Sequence, residues 1–181
     1  MTKTLTAKTS IKGYNKSKIA KTEHNDCSVR AVANAFDIEY DKAHKFLSEK
    51  YNRPYKRGVS TRSWHSVNDK FADEKTKLFG KKMVKIEYPE IEIESSRCTR
   101  KKSFWREGSS YTYKKKLKLY TKRGSQFSQM TVGSFLKKYK EGTFILSVRA
   151  HTFTVKDGVV CGNNSDGKKM RVPLEKAWQV V

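Results

Sequence analysis

The stretch 24–36, HNDCSVRAVANAF, passes from polar, turn-prone residues straight into small and apolar ones. Asn25 or Asp26 can serve as an N-cap, so the pattern predicts a helix from about Cys27 to Phe36. Val29, Val32, Ala33 and Phe36 then share one face at the spacing of a buried helix. Cys27 falls at the junction of loop and helix. A thiol there meets exposed backbone N–H groups and the positive end of the helix dipole, both of which favour the thiolate. Asp26, immediately before it, works against that shift.

Outward from this helix the pattern gives helices first and strands later, which predicts an α+β fold with N-terminal helices packed on a C-terminal antiparallel sheet. DIEYDKAHKFLSEKY (37–51) reads as a second helix with Tyr40, Ala43, Phe46, Leu47 and Tyr51 inward, and His44 on its charged face. STRSWHSVNDKF (60–71) reads as a third, capped by Ser60 or Thr61. MVKIEY and EIEIE alternate with period two, as does YTYKKKLKLYT, and all three predict strands. TVGSFLKKYKEG predicts a short helix capped by Thr131, TFILSVRAHTFTV a strand run, and VVCGNN its antiparallel return after an Asp157-Gly158 turn. Residues 1–22 are rich in Lys and Thr, lack periodicity, and predict an irregular basic arm or an edge strand. The remainder, 23–181, is expected to be one domain with a basic insertion around 95–123.

The chain of 181 residues carries 40 Lys and Arg against 18 Asp and Glu, a net charge of +22. Between Ser95 and Arg123 eleven basic residues face a single acid, Glu107. Within that run Arg97, Arg100, Lys101, Lys102, Trp105, Arg106, Lys114, Lys115 and Lys116 form a candidate polyanion-binding set, Trp105 being placed to stack on a base. Trp64 and Trp178 read as core. Three cysteines, Cys27, Cys98 and Cys161, cannot all pair and none stands in CxxC spacing, so a disulfide scaffold is not expected. No pair of His or Cys has zinc-finger or HExxH spacing, and neither a metal nor another cofactor is expected. The basic start lacks an apolar signal region and no stretch approaches a membrane span, so a reducing cytoplasm is the expected compartment.

The Asp157-Gly158 turn sets the register of the last hairpin. Lys156 faces Val159, Val155 faces Val160, Thr154 faces Cys161, and His151 faces Asn164. A one-residue bulge near Gly162 brings Asn163 into that place instead, and Asp166 is a third alternative. An imidazole held on one ring nitrogen by an amide or carboxylate keeps the other for proton transfer. Cys27 supplies a nucleophile for that imidazole, in an ion pair of the kind cysteine hydrolases use.

NDCSVRAVANA near the start, with GTFILSVRAHTFTVKDGVVCGNN near the end, resembles the papain-like cysteine peptidase superfamily. The chain is most similar to small phage-encoded proteins of the pattern DCxxRA…GHxxAVxDG, and in layout to bacteriocin-processing peptidase domains. YDKAHKFL followed by Arg53 and Gly58 also resembles the phage group. The resemblance covers roughly residues 24–60 and 130–165. It implies a papain-like fold with Cys27 as nucleophile, His151 as general base and acid, and Asn164 or Asn163 orienting His151. Such peptidases usually carry a Gln five or six residues before the cysteine as an oxyanion donor. Here Lys21 and Thr22 occupy those places, and the first Gln of the chain is Gln126. The oxyanion is then expected to rely on the Cys27 backbone N–H with the Asn25 or His24 side chain. The phage group commonly has Gly before the histidine, where this chain has Ala150.

Two functions are therefore expected as alternatives. One is a cysteine hydrolase of phage origin, cleaving a peptide, isopeptide or other amide of a protein substrate in infected bacterial cytoplasm or in association with the virion. The other is a non-catalytic basic module on the same fold, binding nucleic acid or an acidic protein through the 95–123 region.

Overall fold

The lysine-rich N-terminus joins the sheet. In a computed structural model, which describes residues 3–98, 110–163 and 165–181, Thr4–Thr6 forms strand β1 and pairs in parallel with a strand near the C-terminus. Two short helices follow, α1 (Ala7–Ser10) and α2 (Lys18–Thr22). Of the two expectations for residues 1–22, an irregular arm or an edge strand, β1 matches the edge strand, and Ala7, Ile11 and Ala20 of the following segment are buried in the main core. Sparse apolar residues without periodicity gave no helical signal in the sequence.

Helix α3 spans Cys27–Phe36, as the sequence predicts, and is followed by α4 (Tyr40–Tyr51) and α5 (Thr61–Asp73), the last capped by Ser60 through the Ser63 amide. Short strands β2 (Lys77–Leu78) and β3 (Lys81–Lys85) come next. Strands β4 (Ile91–Cys98), β5 (Ser110–Leu117), β6 (Tyr120–Arg123) and β7 (Gln126–Gln129) belong to a separate unit described below. Helix α6 (Val132–Lys138) starts with a capping box between Thr131 and Ser134. Strands β8 (Thr143–Val148), β9 (His151–Lys156), β10 (Val159–Gly162) and β11 (Leu174–Val180) complete the chain, with a 3-10 turn at Asp166–Lys168.

The described chain is therefore mixed α and β, with six helices and a mostly antiparallel sheet. Seven strands run in the order β1-β10-β9-β8-β11-β3-β2, and only the β1–β10 pair is parallel. TFILSVRAHTFTV, expected as one strand run, is two strands joined at Arg149-Ala150, with Val148 opposite His151. No Gly, Pro, Asn or Asp marks this turn. Ala150 itself takes φ +56, a left-handed conformation rare for alanine, which hid the break from the sequence. The Asp157-Gly158 turn has both central residues at positive φ, as a two-residue hairpin requires, and β9 and β10 pair in the predicted register.

Helix α3 is buried on nearly every side, with Val29, Val32, Ala35 and Phe36 almost inaccessible between α4 and the sheet. Thr154 of β9, fully buried, donates from Oγ1 to the Ala31 carbonyl at 2.7 Å. This bond ties the helix that begins with Cys27 to the strand that begins with His151. Behind α4 and α5 the core continues through Leu47, Trp64, Met83 and Trp178, with the two indoles edge to face at 6.4 Å.

Residues 87–129 form their own unit, wider than the 95–123 insertion expected. It consists of two hairpins, β4–β5 and β6–β7. The alternation of Ile91 and Ile93 with Glu92 and Glu94 runs on as strand through Cys98, where a basic loop was expected from Ser95. No helix among the described residues is long and apolar enough to cross a membrane.

Thr154→Val keeps the side-chain shape and removes the bond to Ala31. Urea denaturation should show a loss of about 1 kcal/mol, and an unchanged midpoint would show that this bond adds nothing to the joining of the two elements.

Candidate active site

Cys27 is the first residue of α3, and His151 the first of β9. Because α3 lies along β9, the two side chains face the same cavities, close enough for the imidazole to act on the Cys27 sulfur. The other side of the ring is held by Asp166: His151 Nε2 lies 2.9 Å from Oδ1 of a carboxylate that is 1 % exposed. With Nε2 engaged there, Nδ1 is the nitrogen left for the sulfur.

Asp166 occupies the place for which Asn163 and Asn164 were also weighed. Strand β10 ends at Gly162, and the chain turns through a bond from the Asp166 amide to the Asn163 carbonyl, which folds the carboxylate back under the ring. The Asn163 amide donates to Asp166 Oδ2 at 2.7 Å, while its side chain accepts from Arg30 Nη1 and does not orient His151. Asn164 lies outside the described residues. Gly162 has a role that the sequence reading missed: a Cβ there would overlap Asp166 Oδ2. Glycine inside a strand signals close approach of another group, and this one leaves room for the carboxylate.

Burial alone would push the Cys27 thiol up. The hydrogen bond and positive charge of His151, with backbone bonds from Thr152 and Ser28, outweigh burial and hold the thiol below its ordinary value. Burial alone would likewise lower His151, but its hydrogen bonds and charge pairing with Asp166 and Cys27 raise it to about 9. Burial also opposes ionisation of Asp166, yet His151, the Asn163 amide and Lys169 keep that carboxyl below its usual range. All three shifts favour the charged forms: thiolate, imidazolium and carboxylate. Cys161, free and buried, is pushed the other way by burial.

Asp26 opposes the thiolate less than its position suggests. Its side chain does not cap α3; Oδ2 accepts from Arg30 Nε at 2.8 Å and from the Tyr40 hydroxyl at 2.8 Å. The charge is balanced by Arg30 one turn on, an i,i+4 pairing visible in the sequence. The first amides of the helix are left without a side-chain cap. The loop before Cys27 is anchored by Glu23, whose wholly buried carboxylate takes Arg53 Nη2 at 3.0 Å and His44 Nε2 at 2.7 Å. His44, read from sequence as part of a charged helix face, is therefore a half-buried partner of Glu23. His24 and Asn25, the expected oxyanion donors, are exposed and line the cavity beside Cys27.

Two cavities share Cys27 and His151 in their linings. One of about 580 Å³ is bounded by His24, Asn25, Arg30 and Gly58; the other, of about 210 Å³, by Ser28, Thr61, Trp64 and Ser147. Cys27, Val59, Ala150 and His151 line both. Among the described residues no group of three His, Cys, Asp or Glu is arranged to hold a metal.

Of the candidate polyanion set, Arg100, Lys101, Lys102, Trp105 and Arg106 lie outside the described residues, and Arg97 lies on β4. Lys114 and Lys116 reach Glu92 and Glu90 at 3.1 and 3.0 Å, and Lys115 bonds Gln129. The three described lysines are thus engaged with neighbours in their own unit.

Gly162→Ala should move the Asp166 carboxylate off His151 while the fold persists. Alkylation of Cys27 at neutral pH should slow about tenfold or more, with circular dichroism unchanged; an unaltered rate would deny Asp166 its orienting role. No family model, no curated protein and no solved structure matches the chain.

Proposed function

We propose that the protein is a thiol-dependent amide hydrolase of papain-like layout, with Cys27 as nucleophile, His151 as acid and base, and Asp166 as the group orienting His151. The observation that carries this reading is the alignment of partly buried Cys27 and His151 with the buried carboxylate of Asp166, where two cavities share their lining. A substrate occupying both extends on both sides of the thiol, as a polypeptide does around a scissile bond. The layout supports the reading too, since the cysteine opens an N-terminal helix and the histidine opens a strand of the later sheet.

The reaction follows from the charge states. The Cys27 thiolate attacks the substrate carbonyl carbon, and the electron pair of the carbonyl moves to oxygen. Uncapped amides at the start of α3, with the His24 and Asn25 side chains nearby, are available to that oxyanion. His151 passes its Nδ1 proton to the leaving nitrogen, the carbon–nitrogen bond breaks, and a thioester remains on Cys27. The now neutral imidazole takes a proton from water, whose oxygen attacks the thioester. Collapse releases the carboxylic acid and restores thiolate and imidazolium.

Iodoacetamide should label Cys27 far faster than Cys161, with a reactive pKa below the ordinary thiol value of about 8.5. Equal, slow labelling of both would reject the hydrolase. Hydrolysis of an amide substrate should follow a bell-shaped pH profile. Rate is lost at low pH as the thiolate is protonated, and again as pH rises through about 9, where His151 gives up the proton it must donate. Cys27→Ala should abolish turnover, and a rate still climbing above that pH would show that His151 is not the proton donor.

A further inference from the structure

The carboxylates lining the cavities, Glu23 and Asp26, and Asp166 behind His151 are buried and matched. Glu23 is held by Arg53 and His44, Asp26 by Arg30 and Tyr40, and Asp166 by His151 and Lys169. None presents negative charge to an incoming ligand. The surface around the cleft is different. One wall is the loop from α4 to α5, which ends in the lining residues Gly58 and Val59; the other is the β8–β9 turn with Ala150. The exposed charges on these two segments and on the first turn of α5 are Lys56, Arg57, Arg149 and Arg62, all basic. Between Asn52 and Arg62, and between Ser147 and Thr152, there is no acid.

These cations are not neutralised as others are. On α4 and α5 exposed lysines stand beside glutamates, Lys45 with Glu49 and Lys70 with Glu74, and Asp37 takes both Lys81 and Lys156. Among the described residues no acid pairs with Arg57, Arg62 or Arg149, while the Lys56 ammonium lies over the exposed Tyr55 ring at 5.2 Å. Nor is the charge of the chain gathered in the hairpin unit. Residues 87–129 hold eleven basic and five acidic residues, so most of the +22 belongs to the unit that carries Cys27.

We infer that the cleft receives an acidic stretch of polypeptide, drawn in and held by a rim formed by Lys56, Arg57, Arg62 and Arg149. This rests on the hydrolase reading, which requires an acyl carbonyl at Cys27; a nucleic acid strand would satisfy the rim but offer the thiol no amide. Exposed cations of this kind act on encounter rate and salt dependence more than on the chemistry itself. The negative groups belong to residues flanking the scissile bond, since the lining of the smaller cavity is neutral apart from the Cys27–His151 pair.

The test separates the two claims by measuring binding on the full-length Cys27→Ala protein and reactivity on the unmodified one. A fluorescent peptide rich in Glu and Asp should bind by anisotropy at low salt, and its Gln and Asn counterpart should bind at least about tenfold more weakly. Combined Arg57→Glu, Arg62→Glu and Arg149→Glu should weaken the acidic peptide by about tenfold or more, a difference that shrinks as salt is raised. A control reversing Lys45, Lys50 and Lys70 on α4 and α5 should have a much smaller effect. Equal losses from rim and control reversals would overturn the inference, since net charge alone would then explain the binding. A single-stranded oligonucleotide that displaces the peptide and shows stronger dependence on the rim would overturn it in favour of nucleic acid. Slow iodoacetamide labelling of Cys27 would remove the hydrolase while leaving the measured peptide preference in place.

Discussion

Helix α3 and strand β9 are joined by apolar packing and by a buried hydrogen bond from Thr154 Oγ1 to the Ala31 carbonyl, between residues far apart in the chain. Each element carries its reactive side chain at its first position, so the contact that aligns helix with strand also aligns thiol with imidazole. A slip of one helical turn, about 5.4 Å, would part them. The apolar residues of α3 hold the helix down, but packing between smooth faces tolerates sliding. A directional bond with a donor fixed on the strand resists it. The same contact explains why so short a helix can sit almost wholly inside the molecule: its outer side is covered by α4 and its inner side by the sheet.

The charges of the site obey one rule, in which each buried carboxylate has a cation or hydroxyl supplied by a neighbouring element. Pairs of this kind add little to stability, because desolvation offsets much of the attraction. Their effect here is on position and protonation. Glu23 fixes the approach to Cys27 through Arg53 and His44. Asp26 is turned away from the helix amides by Arg30 and Tyr40, which leaves those amides without a side-chain cap and, in the proposed reaction, open to a developing negative charge. Asp166 keeps His151 protonated and fixes which ring nitrogen faces the sulfur. Had Asp26 capped α3 in the ordinary way, its carboxylate would have stood against the thiolate and occupied the donors that an oxyanion requires.

The parts of this arrangement that were legible in the sequence are those set by local rules. Small and apolar residues after Asn25-Asp26 marked the start and end of α3, and Asp157-Gly158 fixed the β9–β10 register through the geometry of a two-residue turn. The order of helices and strands followed from the change of period near Lys82. What escaped the reading depends on groups distant in the chain or on residues acting against type. Ala150 turns the chain in a conformation that favours glycine, so one strand run concealed two strands. The orienting group of His151 remained open among Asn163, Asn164 and Asp166 because strand register ceases to apply past Gly162, where a tight turn takes over. Gly162 itself looked like an unremarkable strand end, although a side chain there would displace the carboxylate packed on it. The N-terminal segment, for which an edge strand was one alternative, has too few apolar residues to show the period of its two short helices.

The missing upstream glutamine bears on how the proposed reaction is driven. Without a side-chain amide at Lys21 or Thr22, the electrostatic contribution to the oxyanion falls to backbone N–H groups at the head of α3 and to whatever His24 and Asn25 add. Asn25 sits at φ +54, which bends the chain so that both residues border the cavity and not the helix axis. A helix N-terminus supplies oriented dipoles already held in place by the fold, so nothing has to reorganise as charge builds on the substrate oxygen. The dipole that lowers the thiol is then the same one that receives the oxyanion, and the two roles are used in succession: negative charge leaves sulfur as it arrives on oxygen, a short distance away in the same field. This economy is available only because Arg30 holds Asp26 off the helix end, which makes the Asp26–Arg30–Tyr40 contact as necessary to the proposed chemistry as the triad beside it.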